Sequence, residues 1–134
     1  MLNCAVVGAT GYTGAELVKI LLRHPRVRLV ALTTRQETVV PLRNLVPGVS
    51  KQSPLEVRRF SFSEIQRKAD AVFLTLPHTE AMDVAAKFFR AGKIVIDLSA
   101  DFRLRDAALY EKWYGVKHRQ KKLLNKAVYG LPEL

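Results

Sequence analysis

Three glycines, Gly8, Gly11 and Gly14, stand between an apolar run, Asn3–Val7, and an amphipathic segment that begins at Thr13. A strand that turns through glycines into a helix offers an anion the helix's unpaired N–H groups and its partial positive charge. One glycine permits the tight turn, one lets the backbone approach phosphate, and one lets helix and strand pack closely. The spacing is G-x-x-G-x-x-G rather than G-x-G-x-x-G, but the demands are similar. The chemistry that fits is binding of a dinucleotide pyrophosphate. A plain strand-to-helix turn is the simpler alternative.

The zone about 20 residues past the glycines carries an Asp or Glu where NAD is preferred. Here it reads Leu32-Thr33-Thr34-Arg35-Gln36, without a carboxylate. A carboxylate repels a 2′-phosphate, whereas hydroxyls and a guanidinium bind it. Thr34 and Arg35 therefore point to NADP, unless Arg35 is only a surface charge after a strand. In Leu76-Pro77-His78, Pro77 stiffens a turn and His78 sits at its rim, or simply caps it; neither is assigned acid–base chemistry. Asp97-Leu98-Ser99-Ala100-Asp101-Phe102-Arg103 is dense in polar groups. Ser99 suits the nicotinamide half of a cofactor. Arg103 either pairs with Asp101 or offers its fork to an anionic substrate. Cys4 lies inside an apolar strand, where a thiol behaves as a small hydrophobe and not as a nucleophile. No catalytic residue and no metal site is expected: His24, His78 and His118 are scattered, and Cys4 is the one cysteine.

These stretches need elements to hold them. Asn3–Val7, Val27–Thr34, Ala71–Leu76 and Lys93–Leu98 read as buried strands, and Glu56–Phe60 as a short one. Helices are expected over Thr13–His24, with Leu17, Ile20 and Leu21 on one face widened by Val18 and Leu22. Others are expected from Ser61, over Thr79–Ala91 ahead of Gly92, and over Asp106–Tyr114 ending at Gly115. Residues 36–54 hold three prolines and a glycine, which disfavours long regular structure. Strands that are continuous apolar runs alternating with helices imply a parallel sheet covered on both faces. The expected fold is α/β, a doubly wound parallel sheet (Rossmann-like) in one domain over residues 1–134. Its ligand crevice lies at the carboxyl ends of the strands, where Gly8–Gly14, Thr33–Arg35, Leu76–His78 and Leu98–Arg103 all fall.

Composition bounds the rest. The chain has 134 residues, 49% of them hydrophobic, enough for one core. No apolar run approaches the ~20 residues of a membrane span. The start lacks a basic leader, and Gly8 and Gly11 interrupt its apolar segment, so no signal peptide is expected. A cytoplasmic location fits the single cysteine. The net charge is +10, from 22 basic and 12 acidic residues. That favours anionic ligands. The local cluster Lys117-His118-Arg119-Gln120-Lys121-Lys122 lacks interleaved aromatics and is expected to be a solvated loop or helix face, so nucleic acid is not an expected partner.

The segments GATGYTGAEL (8–17), LTTR (32–35), LPH (76–78), DLSADFRL (97–104), YEKWYG (110–115) and YGLPEL (129–134) together resemble the N-terminal part of N-acetyl-gamma-glutamyl-phosphate reductases. Aspartate-semialdehyde dehydrogenases share the glycine pattern but not the later segments. The resemblance implies reduction of an acyl phosphate by NADPH to an aldehyde, in arginine biosynthesis. It implies that Gly8, Thr10, Gly11, Tyr12, Thr13 and Gly14 bind the pyrophosphate and that Thr34 and Arg35 bind the 2′-phosphate. Pro77, His78 and Ser99 would line the cofactor crevice, and Arg103 would help hold the substrate. In that family a cysteine in an Asn-Pro-Gly-Cys segment attacks the acyl phosphate, and a histidine in a second domain serves as acid–base. No residue here matches either. The chain is therefore expected to be the cofactor half of such an enzyme, inactive alone, needing a complementary catalytic domain and able to form a homo- or hetero-oligomer. A stand-alone NADP-binding or sensing module is the alternative.

Overall fold

The computed structural model describes residues 1–47 and 54–130; the last four residues of YGLPEL lie outside them, as do residues 48–53 of the proline-rich stretch. β1 (Leu2–Val7) leads through the glycine loop into α1 (Tyr12–Leu22) and back to β2 (Val27–Thr34). β3 (Val40–Pro41) and α2 (Leu42–Leu45) precede β4 (Glu56–Arg59). Next come α3 (Phe62–Lys68), β5 (Ala71–Leu74), α4 (Ala81–Arg90) and β6 (Ile94–Asp97), followed by α5 (Ala107–Tyr114) and α6 (Lys121–Leu124). The six strands form one sheet in the order β3-β4-β2-β1-β5-β6. All pairs are parallel except β3 with β4. This is the doubly wound α/β sheet that the alternation of elements implies, and β1, flanked by β2 and β5, is its switch point.

Helix ends follow local chemistry. The Ser61 side chain accepts from Glu64 N at the start of α3, and Asp106 accepts from Ala108 N and Leu109 N at the start of α5. Gly92 and Gly115 adopt positive φ, 73° and 69°, just past α4 and α5, as left-handed terminators do. Alternate residues of β1 enter opposite core layers. Cys4 and Val6 pack with Val18, Leu21, Leu29 and Leu32, whereas Ala5 and Val7 pack with Ile65, Leu74, Ala85 and Phe88.

Three sequence expectations are corrected. The buried face of α1 is Gly14, Val18 and Leu21, while Ile20 points to solvent. Apolar residues occupy so much of this helix that their types alone do not choose a face. The sheet is not covered throughout: Ile94 and Ile96 on β6 and Leu98 just after it are 56%, 37% and 41% exposed, and they line a cavity shared with Phe89 of α4, Leu123 of α6 and Val128 instead of packing under a helix. Nor is the 117–122 cluster simply solvated. His118 is buried, Arg119 pairs with Asp83 of α4 at 2.8 Å, and Gln120 Nε2 donates to the other Asp83 oxygen at 2.8 Å. Among the described residues, no helix is long and apolar enough to cross a membrane.

Candidate functional site

The glycine loop is strapped between its neighbours. Gly8 N and Ala9 N both donate to Thr33 O, at 3.2 and 2.8 Å, and Thr75 Oγ1 donates to Val7 O and Gly8 O at 3.0 and 2.9 Å. Gly8 has φ +95°, and a Cβ there would meet Thr75 O at 2.8 Å. At Gly14 a Cβ would lie 2.3 Å from Gly8 O and 2.8 Å from Ala9 Cα, so helix and strand touch backbone to backbone. Both glycines are required by internal packing. Gly11 is different: a Cβ there would meet only Gly8 O, at an ordinary 3.6 Å. Its missing side chain leaves open the space in front of α1. That helix begins with no side-chain cap and no acid in its first turn. Its first N–H groups are thus available to an anion. Tyr12, 97% exposed, and Thr13 stand beside this opening.

Two cavities flank the loop. The smaller, about 630 Å³, runs past Gly8, Thr10 and Gly11 to Thr34, Arg35, Leu76, Pro77 and Glu80. Thr10 and Thr34 share a hydroxyl hydrogen bond of 3.1 Å, and Thr34 Oγ1 also accepts from Gln36 N at 3.3 Å. Arg35 forms an ion pair with Glu80. The larger cavity, about 820 Å³, runs along the bare face of β6 past Asp97, Ser99 and Arg103 to Val128 and Tyr129. Thr13 lines both. A ligand lying across the α1 N-terminus therefore has room at each end, toward Arg35 on one side and toward Ser99 on the other.

Of the residues singled out in the sequence, Gly8, Thr10, Gly11, Thr13, Thr34, Arg35 and Pro77 line the smaller cavity, and Ser99 and Arg103 the larger. His78 lines neither; it is exposed, with its ring 5.6 Å from that of Tyr114. Ser99 donates through N and Oγ to Asp97, both at 2.9 Å. Burial pushes the Asp97 carboxyl above its usual range; the two Ser99 bonds pull it back, and the Asp101 charge adds to the rise. Arg103 lies 5.6 Å from the ring of Tyr129. Cys4 is fully buried, and burial, with the nearby Asp70 charge, raises its thiol pKa. Among the described residues no cluster could hold a metal ion.

The sequence offers Asp101 as a partner for Arg103, and the structure gives it a different role. Its carboxylate does not turn to Arg103 but inward, fully buried, accepting from Thr79 N at 2.6 Å, Met82 N at 3.0 Å and Tyr110 Oη at 2.7 Å. Its carbonyl accepts from His118 Nε2 at 2.7 Å, while His118 Nδ1 accepts from Gln120 N. Burial, with Asp101 as acceptor, drives the Tyr110 phenol well above its ordinary pKa. Asp101 thus ties the segment after β6 to the start of α4 and fixes the loop carrying Pro77 and Glu80. Thr79 within that loop has φ +74°, rare for a β-branched residue. The clue in the sequence was an Asp placed among aromatics, in DFRL ahead of YEKWY.

The model of the family described as semialdehyde dehydrogenase, NAD binding domain, matches residues 3–134. An N-acetyl-gamma-glutamyl-phosphate reductase of Heliobacterium modesticaldum is 52% identical over all 134 residues, which span 38% of that protein. A LysW-L-2-aminoadipate/LysW-L-glutamate phosphate reductase of Sulfurisphaera tokodaii is 46% identical, again over the whole chain and 38% of the relative. The chain thus spans well under half the length of these relatives. Among solved structures, an aspartate semialdehyde dehydrogenase with NADP from Candida albicans superposes with a TM-score of 0.60 at 21% identity, over 80% of this chain and 32% of that one. That last likeness concerns the fold.

Proposed function

This chain belongs to the semialdehyde dehydrogenase NAD-binding-domain family, and on that premise we propose that it is the NADP(H)-holding part of an acyl-phosphate reductase of the N-acetyl-gamma-glutamyl-phosphate type. The observation that carries the reading is the division of labour among the glycines. Gly8 and Gly14 serve the protein's own packing, whereas a Cβ at Gly11 would project into space at the α1 N-terminus where, among the described residues, it meets Gly8 O alone, at 3.6 Å. A pyrophosphate fits that space in charge and position. Thr34 and Arg35, at the end of β2, supply hydroxyl and guanidinium to a 2′-phosphate. Bound NADPH supplies a hydride. The chain's own part is to orient the dinucleotide, with Ser99, held by Asp97, beside its nicotinamide end and Arg103 near the acyl phosphate.

Catalysis then needs a complementary domain that brings the nucleophile and the acid–base group. The relatives are long enough to contain one, and the uncovered apolar face along β6, Ile94, Ile96 and Leu98, is the surface it would cover. A self-contained nucleotide sensor gives no reason for such a face to stay bare.

The test is calorimetric titration of the chain with NADPH and NADH, with Arg35→Glu in parallel. NADPH is expected to bind at least about tenfold more tightly than NADH, a difference of about 1.4 kcal/mol, and the variant is expected to lose that preference. Equal affinity for the two nucleotides overturns the NADP assignment. Hydride transfer to an acyl phosphate by this chain alone overturns the need for a second domain.

A further inference from the structure

Two charged side chains line the smaller cavity among the described residues, Arg35 at the end of β2 and Glu80 at the start of α4. They come from opposite walls and pair with each other. The guanidinium expected to meet a 2′-phosphate is therefore already held by a carboxylate. We propose that Glu80 is a specificity-determining residue of the nucleotide site, one that holds Arg35 until a 2′-phosphate displaces it and so lowers affinity for NADP without touching NAD. This rests on the reading that Arg35 binds the 2′-phosphate.

Three features support it. Both side chains are substantially exposed, 61% for Arg35 and 43% for Glu80, so water screens the pair and it separates at small cost. Glu80 is the N-cap residue of α4, where the helix dipole steadies a carboxylate that has lost its partner. And its backbone cannot swing away. Glu80 N donates to Pro77 O at 3.3 Å, while Thr79 before it is held by Asp101 at its N–H and by Arg119 at its carbonyl, 2.6 and 2.9 Å. The displaced carboxylate therefore stays at the cavity mouth beside the incoming dianion and repels it. A ligand with a free 2′-hydroxyl leaves the Arg35–Glu80 pair intact.

The experiment uses 2′,5′-ADP and 5′-AMP, which differ by that one phosphate, alongside NADPH and NADH. All are titrated at fixed ionic strength into the full chain, into Glu80→Gln, into Arg35→Ala and into the double variant. Far-UV circular dichroism and urea midpoints confirm that each variant is folded, and Glu80→Ala stands in if Glu80→Gln is not. Glu80→Gln is expected to tighten 2′,5′-ADP and NADPH about twofold to fivefold, to leave 5′-AMP and NADH unchanged, and to give a smaller gain once Arg35 is alanine. A gain shared equally by 5′-AMP is a general charge effect and overturns the proposal. So does no gain, or a loss, in a protein whose preference for 2′,5′-ADP still vanishes in Arg35→Ala; the Arg35 reading then survives alone. If the parent chain does not distinguish the two ligands, or Arg35→Ala changes nothing, that reading fails and the proposal falls with it.

Discussion

Replacing Thr79 by glycine should stabilise the protein. Thr79 holds φ +74° because it is fixed from both sides, its N–H by Asp101 Oδ1 at 2.6 Å and its carbonyl by Arg119 Nη2 at 2.9 Å. A β-branched residue in the left-handed region carries about 1–3 kcal/mol of strain. Glycine removes that strain, but fixing its freer unfolded chain costs about 0.5–1 kcal/mol more. Thr79 is only half-buried, so little packing is lost. The expected net gain is about 1 kcal/mol, or about 3–5 °C in Tm for a chain of this size. Urea unfolding followed by circular dichroism measures it, with an unchanged m-value showing that the folded and unfolded states are otherwise alike. Thr79→Ala is the control: it keeps the Cβ that suffers in this conformation, and its stability should stay within about 0.5 kcal/mol of the parent. If Thr79→Gly is no more stable than Thr79→Ala, the loop is not strained at this residue and the argument is wrong.

The glycine loop makes a paired prediction. Gly14→Ala, forced against backbone at 2.3 Å, should lose about 1–3 kcal/mol or more of stability, whereas Gly11→Ala should fold normally and bind NADPH at least about tenfold more weakly, as differential scanning calorimetry and nucleotide titration would report. Tyr110→Phe leaves the buried Asp101 carboxylate with one donor fewer and should lower stability by about 1–3 kcal/mol in urea. Cys4 should resist iodoacetamide in the native protein and react on unfolding. Because its folded pKa is raised, the native state keeps the thiol proton after the unfolded chain has released it. Stability present below about pH 8.5 should therefore fall as pH rises above it, and Cys4→Ala should flatten that slope between there and the region where Tyr110 titrates.

What the residues disclosed were features decided locally. Asp106 and Gly115 bracket α5 because a carboxylate caps N–H groups and a glycine accepts positive φ, requirements met within a few residues. The glycine loop, Thr34, Arg35 and Ser99 could be placed at strand ends because strand ends are visible as the limits of apolar runs. Features that depend on a distant partner were hidden. Ile20 and Val18 differ little in type, and only the sheet beneath α1 decides which is buried. His118 looks like part of a basic tract until Asp101 O and Tyr110 enclose it. Asp101 has Arg103 two residues away, yet its partners come from α4, the turn before it, and α5. Glu80 lies 45 positions from Arg35 in the chain, and nothing in either neighbourhood links them.

The two margins of the sheet are unlike each other. At one end stands β3, two residues long, antiparallel to β4 and carrying Pro41. Its proline has no N–H to offer a further strand. At the other end stands β6, four residues with no proline, paired to β5 on its inner side and facing outward with the donors and acceptors of an edge. Among the described residues, β6 is thus the edge better fitted to take a further strand. A further strand adds more readily beside β6 than beside β3, and the same asymmetry makes β6 the edge from which ordered aggregation of this chain would begin.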